Sequence, residues 1–305
     1  MRGLLAPSGP SGHSPLGGSP AAHPGRGASP PHSPPRGFVA VASLLCLAGC
    51  WHAHVSNVRP AAKLDEDPLL SPRFFSPPIA LAVPEDAIVR IVGPVTTCSG
   101  TLVDEDLVLT AHHCVVKLGA RGEFLSTTLD AADMHVELGG DYLPWATVGV
   151  KAIVAPPCGE RGGRGDVAIL VLSHKLIGIT PYKARLDGPP RVGETLDPTG
   201  FGRCSMSPDG IHRAAREGGA VAWLASGTIG MTASVCPGDS GGPVLSRGSH
   251  EIVGVVSLSA MDGDEHTRNA SIMARVDSFR PLFGDARQIA DGASPSELPP
   301  LSCAE

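Results

Sequence analysis

The sequence carries little charge and no long basic run. Asp, Glu, Lys and Arg make up 18% of its 305 residues, and the formal net charge is −6 at pH 7. Binding to a phosphate backbone needs clustered Lys and Arg, so nucleic acid is not an expected partner. A Gly-rich phosphate loop and a Cys-x-x-Cys unit are also missing, so we expect no cofactor and no metal site. Any catalysis would then use only side chains and backbone groups.

Long apolar runs are equally scarce, and the main one lies near the N-terminus. Residues 38–49 are too few to span a bilayer comfortably, but they have the length of a signal-peptide core. They follow residues 1–36, a leader of mostly Pro, Gly, Ser, Ala and His that we predict to be disordered. The alternative is a buried strand or core helix at 38–49.

The end of this run, Leu-Ala-Gly-Cys at residues 47–50, resembles the bacterial lipobox. The resemblance implies a signal peptide over 37–50 and lipidation of Cys50, which would become the mature N-terminus. We therefore expect an exported protein that is anchored in the cell envelope through Cys50 or is extracellular.

The rest of the chain divides by composition. Residues 51–80 form a Pro-rich linker, residues 81–284 form one domain, and residues 285–305 form a tail. The 38 glycines, 30 prolines and 42% hydrophobic content suit a loop-rich β protein. Short β-rich runs separated by Gly and Pro predict strands over 87–92, 99–103, 107–110, 148–154, 167–172 and 252–258.

The most informative segment is Cys-Pro-Gly-Asp-Ser-Gly-Gly-Pro at residues 236–243. It places the hydroxyl of Ser240 in a tight turn beside bare backbone N–H groups. A serine hydroxyl becomes a useful nucleophile only when a base takes its proton and an acid orients that base. The pair His112 and His113 offers the base, and Asp166, which leads into an apolar strand, offers the acid.

These blocks, in the order His, Asp, Ser, resemble the trypsin/chymotrypsin-like serine proteases. Over about residues 81–284, further blocks resemble the same family, namely Cys98–Val103, Gly200-Phe201-Gly202, Gly254–Ser257 and Met273–Phe279. The resemblance implies an all-β fold of two packed antiparallel six-stranded β-barrels, at about 81–185 and 190–275, with a short C-terminal helix near 277–283. It also implies a serine endopeptidase that acts through an acyl-enzyme.

The resemblance assigns a role to each candidate residue. His113, which directly precedes Cys114, is the base, Asp166 holds its imidazole, and Ser240 is the nucleophile. The backbone N–H groups of Gly238 and Ser240 form the oxyanion hole.

Asp239 needs a partner that the motif itself does not supply. In the family this aspartate commonly pairs with an α-amino group that activation cleavage releases. Arg90-Ile91-Val92-Gly93 looks like such a cleavage site, but Ile91 lies only seven residues before Cys98, a much shorter gap than in the family. We therefore interpret residues 87–92 as a core strand and leave the partner of Asp239 open. A latent zymogen remains an alternative.

The resemblance also locates the substrate pocket. Ser234, six residues before the nucleophile, would form its floor, Ser257, Leu258 and Ser259 one wall, and Ser271 the back. These neutral residues predict cleavage after a small or medium uncharged P1 side chain, because a buried cation would lack a partner. An acid from the loop at 262–265 could overturn that prediction.

The cysteines suit an oxidising compartment. The resemblance implies a disulfide between Cys98 and Cys114; we further expect Cys204 to pair with Cys236, and Cys158 with Cys303. We expect a monomer that takes peptide or protein substrates. A non-enzymatic surface binding protein on the same fold is the alternative, whereas an α/β-hydrolase conflicts with the chain order and with Gly-Asp-Ser-Gly-Gly.

Overall fold

The computed structural model describes residues 74–75, 83–139, 144–157, 162–203, 212–216, 218–261 and 267–302, with the backbone alone at 74–75, 260–261 and 267–269. All of them belong to the unit Leu64–Glu305. The predicted leader, signal peptide, Cys50 and nearly all of the Pro-rich linker lie outside the described residues, as do Cys158, Cys204 and Cys303.

Six antiparallel strands close the first barrel, in the order β2-β3-β4-β9-β8-β7. Two further strands, β5 and β6, pair as a separate hairpin, and β1 pairs in parallel with β10. The strands of this half are β1 (Phe74–Phe75), β2 (Ile88–Val92), β3 (Thr97–Asp104), β4 (Leu107–Thr110), β5 (Val116–Leu118), β6 (Phe124–Thr128), β7 (His135–Leu138), β8 (Ala146–Val154), β9 (Ala168–Leu172) and β10 (Lys175–Leu176).

The apolar runs of the sequence explain this barrel. Every residue of β4 and β9 is buried, and these two strands are hydrogen-bonded neighbours. In β7, by contrast, Val136 and Leu138 face the core and alternate with half-buried residues, the period-two pattern of a strand with one apolar face. The fully apolar runs of the sequence therefore correspond to the fully buried strands β4 and β9.

The second half is one antiparallel sheet in the order β12-β11-β15-β16-β17-β14-β13. An isolated bridge between Thr195 and Ala220 joins the start of β11 to the start of β13, so the sheet curls round on itself. The closed barrel and this sheet confirm the predicted all-β class, and the second half has seven strands where six were predicted, because β12 adds to the edge of β11. The strands are β11 (Leu196–Gly200), β12 (Ala214–Ala215), β13 (Val221–Ala225), β14 (Thr228–Met231), β15 (Pro243–Ser246), β16 (Ile252–Met261) and β17 (Thr267–Arg275).

A C-terminal α-helix, α1 (Arg280–Ala290), follows a 3-10 turn at Asp277–Phe279. Leu282, Ala286 and Ile289 lie on one face and are buried against the first barrel. The helix runs seven residues past the predicted end at 283, because this apolar spacing continues into the segment that we predicted as tail. In the described part of the chain, no helix combines the length and the hydropathy needed to cross a membrane.

Candidate active site

The topology of the first barrel brings His113 and Asp166 together. Strands β4 and β9 are antiparallel neighbours, with Thr110 opposite Ala168. His113 lies three residues after the end of β4, and Asp166 lies two residues before the start of β9. Both side chains therefore emerge at the same edge of the barrel.

Asp166 holds His113 by two contacts. Its Oδ2 lies 2.7 Å from Nδ1 of the imidazole, and its Oδ1 accepts the backbone N–H of His113 at 2.8 Å. Asp166 has no exposed surface, and His113 is 8% exposed. The imidazole and its backbone are thus fixed by one buried carboxylate.

A third residue, Ser257 of β16, completes this group. Its hydroxyl donates a hydrogen bond of 2.5 Å to Oδ2 of Asp166. Burial by itself raises the pKa of Asp166, but the hydrogen bonds from His113 and Ser257 and the charge of His113 outweigh burial, so this pKa lies below its usual value. These hydrogen bonds therefore favour the ionised form of Asp166.

His112 has a different environment from its neighbour. It is 2% exposed, and its buried Nδ1 has no hydrogen-bond partner among the residues that the structure describes. Burial lowers the pKa of His112, and although the charge of Asp166 opposes this effect, the net direction is downward. His112 is therefore a buried side chain in which the neutral form of the imidazole is favoured.

The turn that carries Ser240 is anchored to the first barrel through Ser99 of β3. The N–H of Ser99 donates to the carbonyl of Ser240 at 2.8 Å, and its hydroxyl donates to the carbonyl of Gly238 at 2.7 Å. A Cβ on Gly241 would collide with Thr110 and approach the backbone of Ala111. Ser240 therefore sits against the segment that leads directly into His113.

The conformation of the turn explains Gly238. Its φ of 100° is a backbone conformation that favours glycine, and a Cβ there would lie 3.1 Å from Cα of Gly202. None of the turn and loop hydrogen bonds between described residues uses the N–H of Gly238 or of Ser240.

Asp239 lies between Gly238 and Ser240 in the chain, and its carboxylate is bonded inside the protein. It has no exposed surface and forms an ion pair with Arg216. Arg216 could not be predicted from the sequence, because a buried acid requires a cation but does not indicate which of the 24 Lys and Arg residues supplies it.

The predicted pocket residues lie on neighbouring elements of the second sheet. Ser259 of β16 pairs with Ser271 of β17. The hydroxyl of Ser271 is buried and donates to the carbonyl of Ala233 at 2.7 Å, next to Ser234. This bond joins the predicted back of the pocket to its predicted floor. The hydroxyl of Ser257 is engaged by Asp166, so Ser257 can offer only its backbone to a ligand.

The acidic loop at 262–265, which could have supplied a charge to this pocket, lies outside the described residues.

Phe124 is a further residue at the site that the sequence analysis missed. It begins β6, and its ring centroid lies 5.2 Å from that of His113, with the rings tilted by 52°. The side chain is 47% exposed. Phe124 therefore forms an apolar wall beside the imidazole, and no sequence pattern places it there.

The cysteines near the site have a structural role. Cys98 and Cys114 form a disulfide, as the resemblance implied. Although their sulfurs lie near the imidazole of His113, oxidised sulfurs offer no thiolate for a metal ion. Cys236 is also disulfide-bonded; its expected partner, Cys204, is outside the described residues.

Comparison with known proteins shows which family this chain resembles. The family model described as Trypsin matches residues 83–283. The chain is 28% identical over 192 residues to trypsin epsilon of Drosophila erecta, covering 55% of this chain and 69% of the relative.

Two solved structures share the fold. One is neuropsin, a serine protease expressed in the limbic system of mouse brain, with a TM-score of 0.51 and 17% identity over 68% of this chain and 97% of the neighbour. The other is a Glu endopeptidase in complex with MPD, with a TM-score of 0.54 and 19% identity over 68% of this chain and 93% of the neighbour. The family match covers about two thirds of the sequence and includes every residue of the site described above. This chain belongs to the trypsin family.

Proposed function

We propose that this protein is a serine endopeptidase that cleaves peptide bonds with Ser240, His113 and Asp166. The observation that carries the proposal is the buried array in which Ser257 and His113 both bond to Asp166. The packing of the Ser240 turn against the segment before His113 supports it. Membership of the trypsin family supports peptidase activity in general.

In this mechanism His113 takes the proton of the Ser240 hydroxyl as Oγ attacks the scissile carbonyl carbon. The negative charge that forms on the carbonyl oxygen accepts hydrogen bonds from the N–H groups of Gly238 and Ser240. Asp166 remains ionised and stabilises the imidazolium of His113. The imidazolium then protonates the leaving amine, which departs as the acyl-enzyme forms, and a water molecule activated by His113 hydrolyses that ester.

The proposed substrate preference is a small or medium uncharged P1 side chain. The floor and back at Ser234 and Ser271 carry no charge, and the Ser271 hydroxyl is already bonded to a carbonyl. A Lys or Arg side chain would have to give up its hydration there without a partner. A modest apolar or hydroxylated side chain would not.

We also propose that the protein is exported, acts as a monomer, and is anchored in the cell envelope through a lipid on Cys50. The Cys98–Cys114 disulfide supports an oxidising compartment. The lipobox-like residues 47–50 support the anchor.

The test is hydrolysis of a peptide library by the full-length protein, with Ser240→Ala as the control. We expect cleavage after residues such as Ala, Val, Ser or Thr, and none by the variant. Cleavage after Lys or Arg would overturn the P1 preference alone. A folded wild-type protein without hydrolysis of any peptide or protein would overturn the proposed activity and favour a binding role.

A further inference from the structure

The carboxylate of Asp239 is buried directly beside the proposed nucleophile, and a buried carboxylate must be paired to stay charged. Arg216 donates to both of its oxygens, from Nε to Oδ2 at 2.7 Å and from Nη2 to Oδ1 at 2.8 Å. The N–H of Gly202 donates to Oδ1 at 2.8 Å, and the N–H of Cys236 donates to Oδ2 at 2.9 Å. Each oxygen therefore accepts two hydrogen bonds from groups of this chain.

Arg216 is itself held firmly. It follows β12, which pairs with the end of β11, and its backbone N–H donates to the carbonyl of Pro198 at 2.7 Å. Its Nη2 also donates to the carbonyl of Gly202 at 2.6 Å, and the side chain is 15% exposed. A planar guanidinium fixed in this way matches the two oxygens of a carboxylate.

The Gly200-Phe201-Gly202 segment leaves room for this pair. A Cβ on Gly200 would lie 2.7 Å from Oδ1 of Asp239, and a Cβ on Gly202 would lie 2.5 Å from its Cγ. Real side chains do not approach that closely, so both positions require glycine. The space around the carboxylate is therefore shaped by the same strand end that anchors Arg216.

The other cation considered for Asp239 is an α-amino group released by cleavage before Ile91. In this structure Ile91 is part of a core strand. Ile91 lies inside β2, is 1% exposed, and pairs with Cys98 on one side and Val136 on the other. Releasing a terminus there would remove a strand from the closed first barrel. Asp239 would also have to exchange a partner that already binds both of its oxygens.

We propose that Arg216 is a positioning residue. In the uncut chain its positive charge pairs with Asp239 and so stabilises the conformation of the turn at 236–240. The ion pair ties the turn at 236–240 to the Gly202 loop and so directs the N–H groups of Gly238 and Ser240 towards the substrate oxygen. The protein then needs no cleavage near β2 to become active. This inference rests on the proposed function.

The experiment compares full-length wild type, Arg216→Met, Arg216→Lys and the control Arg203→Met. Arg203 is an exposed residue of the same loop. The readouts are kcat and KM on a library peptide, the rate of labelling by a fluorophosphonate, and peptide mapping of the labelled molecules. Peptide mapping shows whether the chain has been cleaved between residues 84 and 302 in the molecules that carry the label.

We expect wild-type protein with an unbroken 84–302 segment to be labelled. Arg216→Met should lower kcat and the labelling rate about 100- to 1,000-fold, the effect of losing an oxyanion donor, with a smaller change in KM. Arg216→Lys keeps the charge but loses the two-pronged guanidinium, so its kcat and labelling rate should lie between those of Arg216→Met and wild type. Arg203→Met should stay within about twofold of wild type.

Two results would overturn the inference while leaving the proposed function intact: wild-type kcat in Arg216→Met, or wild-type protein that is labelled only after a second protease cuts between residues 84 and 98. If Arg216→Met does not fold, the kinetics of Arg216→Lys and the peptide mapping of wild type test the inference instead. Absence of labelling in cut and uncut wild type alike would instead refute the proposed function.

Discussion

Asp166 is completely buried and still favours the ionised form, because its hydrogen-bond partners stabilise the carboxylate. The ring and backbone of His113 and the hydroxyl of Ser257 all bond to its two oxygens. These bonds favour the ionised form more than burial disfavours it, so the pKa of Asp166 is lowered. One carboxylate therefore fixes the orientation of the imidazole and balances its charge.

Replacing Asp166 with Asn should keep the shape of the site and remove its function. An amide can no longer favour the tautomer of His113 that accepts the Ser240 proton, so kcat should fall about 1,000- to 10,000-fold with little change in KM. Ser257→Ala removes one bond to the same carboxylate and should cost far less. Steady-state kinetics on one peptide tests both variants. An Asp166→Asn enzyme within tenfold of wild type would contradict the assigned role.

His112 should make the folded protein sensitive to acid. Its pKa is lowered from the ordinary 6.5, chiefly by burial, so the unfolded chain binds a proton more readily than the folded one. The stability that its neutral form contributes is complete above about pH 6.5 and is lost as the pH falls below that value towards the lower folded pKa.

We therefore predict that His112→Phe, made in a Ser240→Ala background to prevent self-cleavage, is less sensitive to acid than its parent. Between pH 7.5 and 5.5 the two slopes of unfolding free energy against pH should differ by up to about 1.4 kcal/mol per pH unit. Urea titrations at several pH values measure this. Equal slopes for His112→Phe and the parent would exclude the effect.

What the sequence could predict at this scale depended on local spacing. His113, Asp166 and Ser240 each lie in a short segment with a recognisable pattern. Arg216 and Phe124 reach the site only through strand pairing and a hairpin, so their positions depend on contacts between distant segments. Such contacts leave no pattern in a single sequence.

At the scale of elements, the hairpin of β5 and β6 adds a feature to the site. It follows the 3-10 turn that carries His113, and its register places Leu118 opposite Phe124. The first four residues of β6 are all exposed, so this strand lacks the apolar alternation that makes strands predictable. The sequence pattern therefore predicts the buried strands β4 and β9 but not this hairpin.

Phe124→Ala should weaken substrate use without destroying catalysis. An aromatic contact of this kind contributes about 0.5–1.5 kcal/mol, so we expect kcat/KM to fall roughly 2- to 13-fold, mainly through KM, for peptides with an apolar side chain beside the scissile residue. Leu125→Ala is the matched control, because the next residue of a strand points to the other face. An equal loss in both variants would indicate a general effect on the hairpin.

At the scale of the whole molecule, the site exists only where the two barrels meet. Ser99 of the first barrel bonds to the nucleophile turn of the second and also accepts the N–H of Phe201 at 2.9 Å. Ser257 of the second barrel bonds to Asp166 of the first. The sequence resemblance predicted both barrels, but these cross-barrel bonds required coordinates.

The most direct measurement is reaction of the folded full-length protein with a fluorophosphonate, followed by intact mass and peptide mapping. The account predicts one adduct per chain, located on Ser240, and no adduct in Ser240→Ala. A folded wild-type protein that forms no adduct, or an adduct that persists in Ser240→Ala, would contradict it.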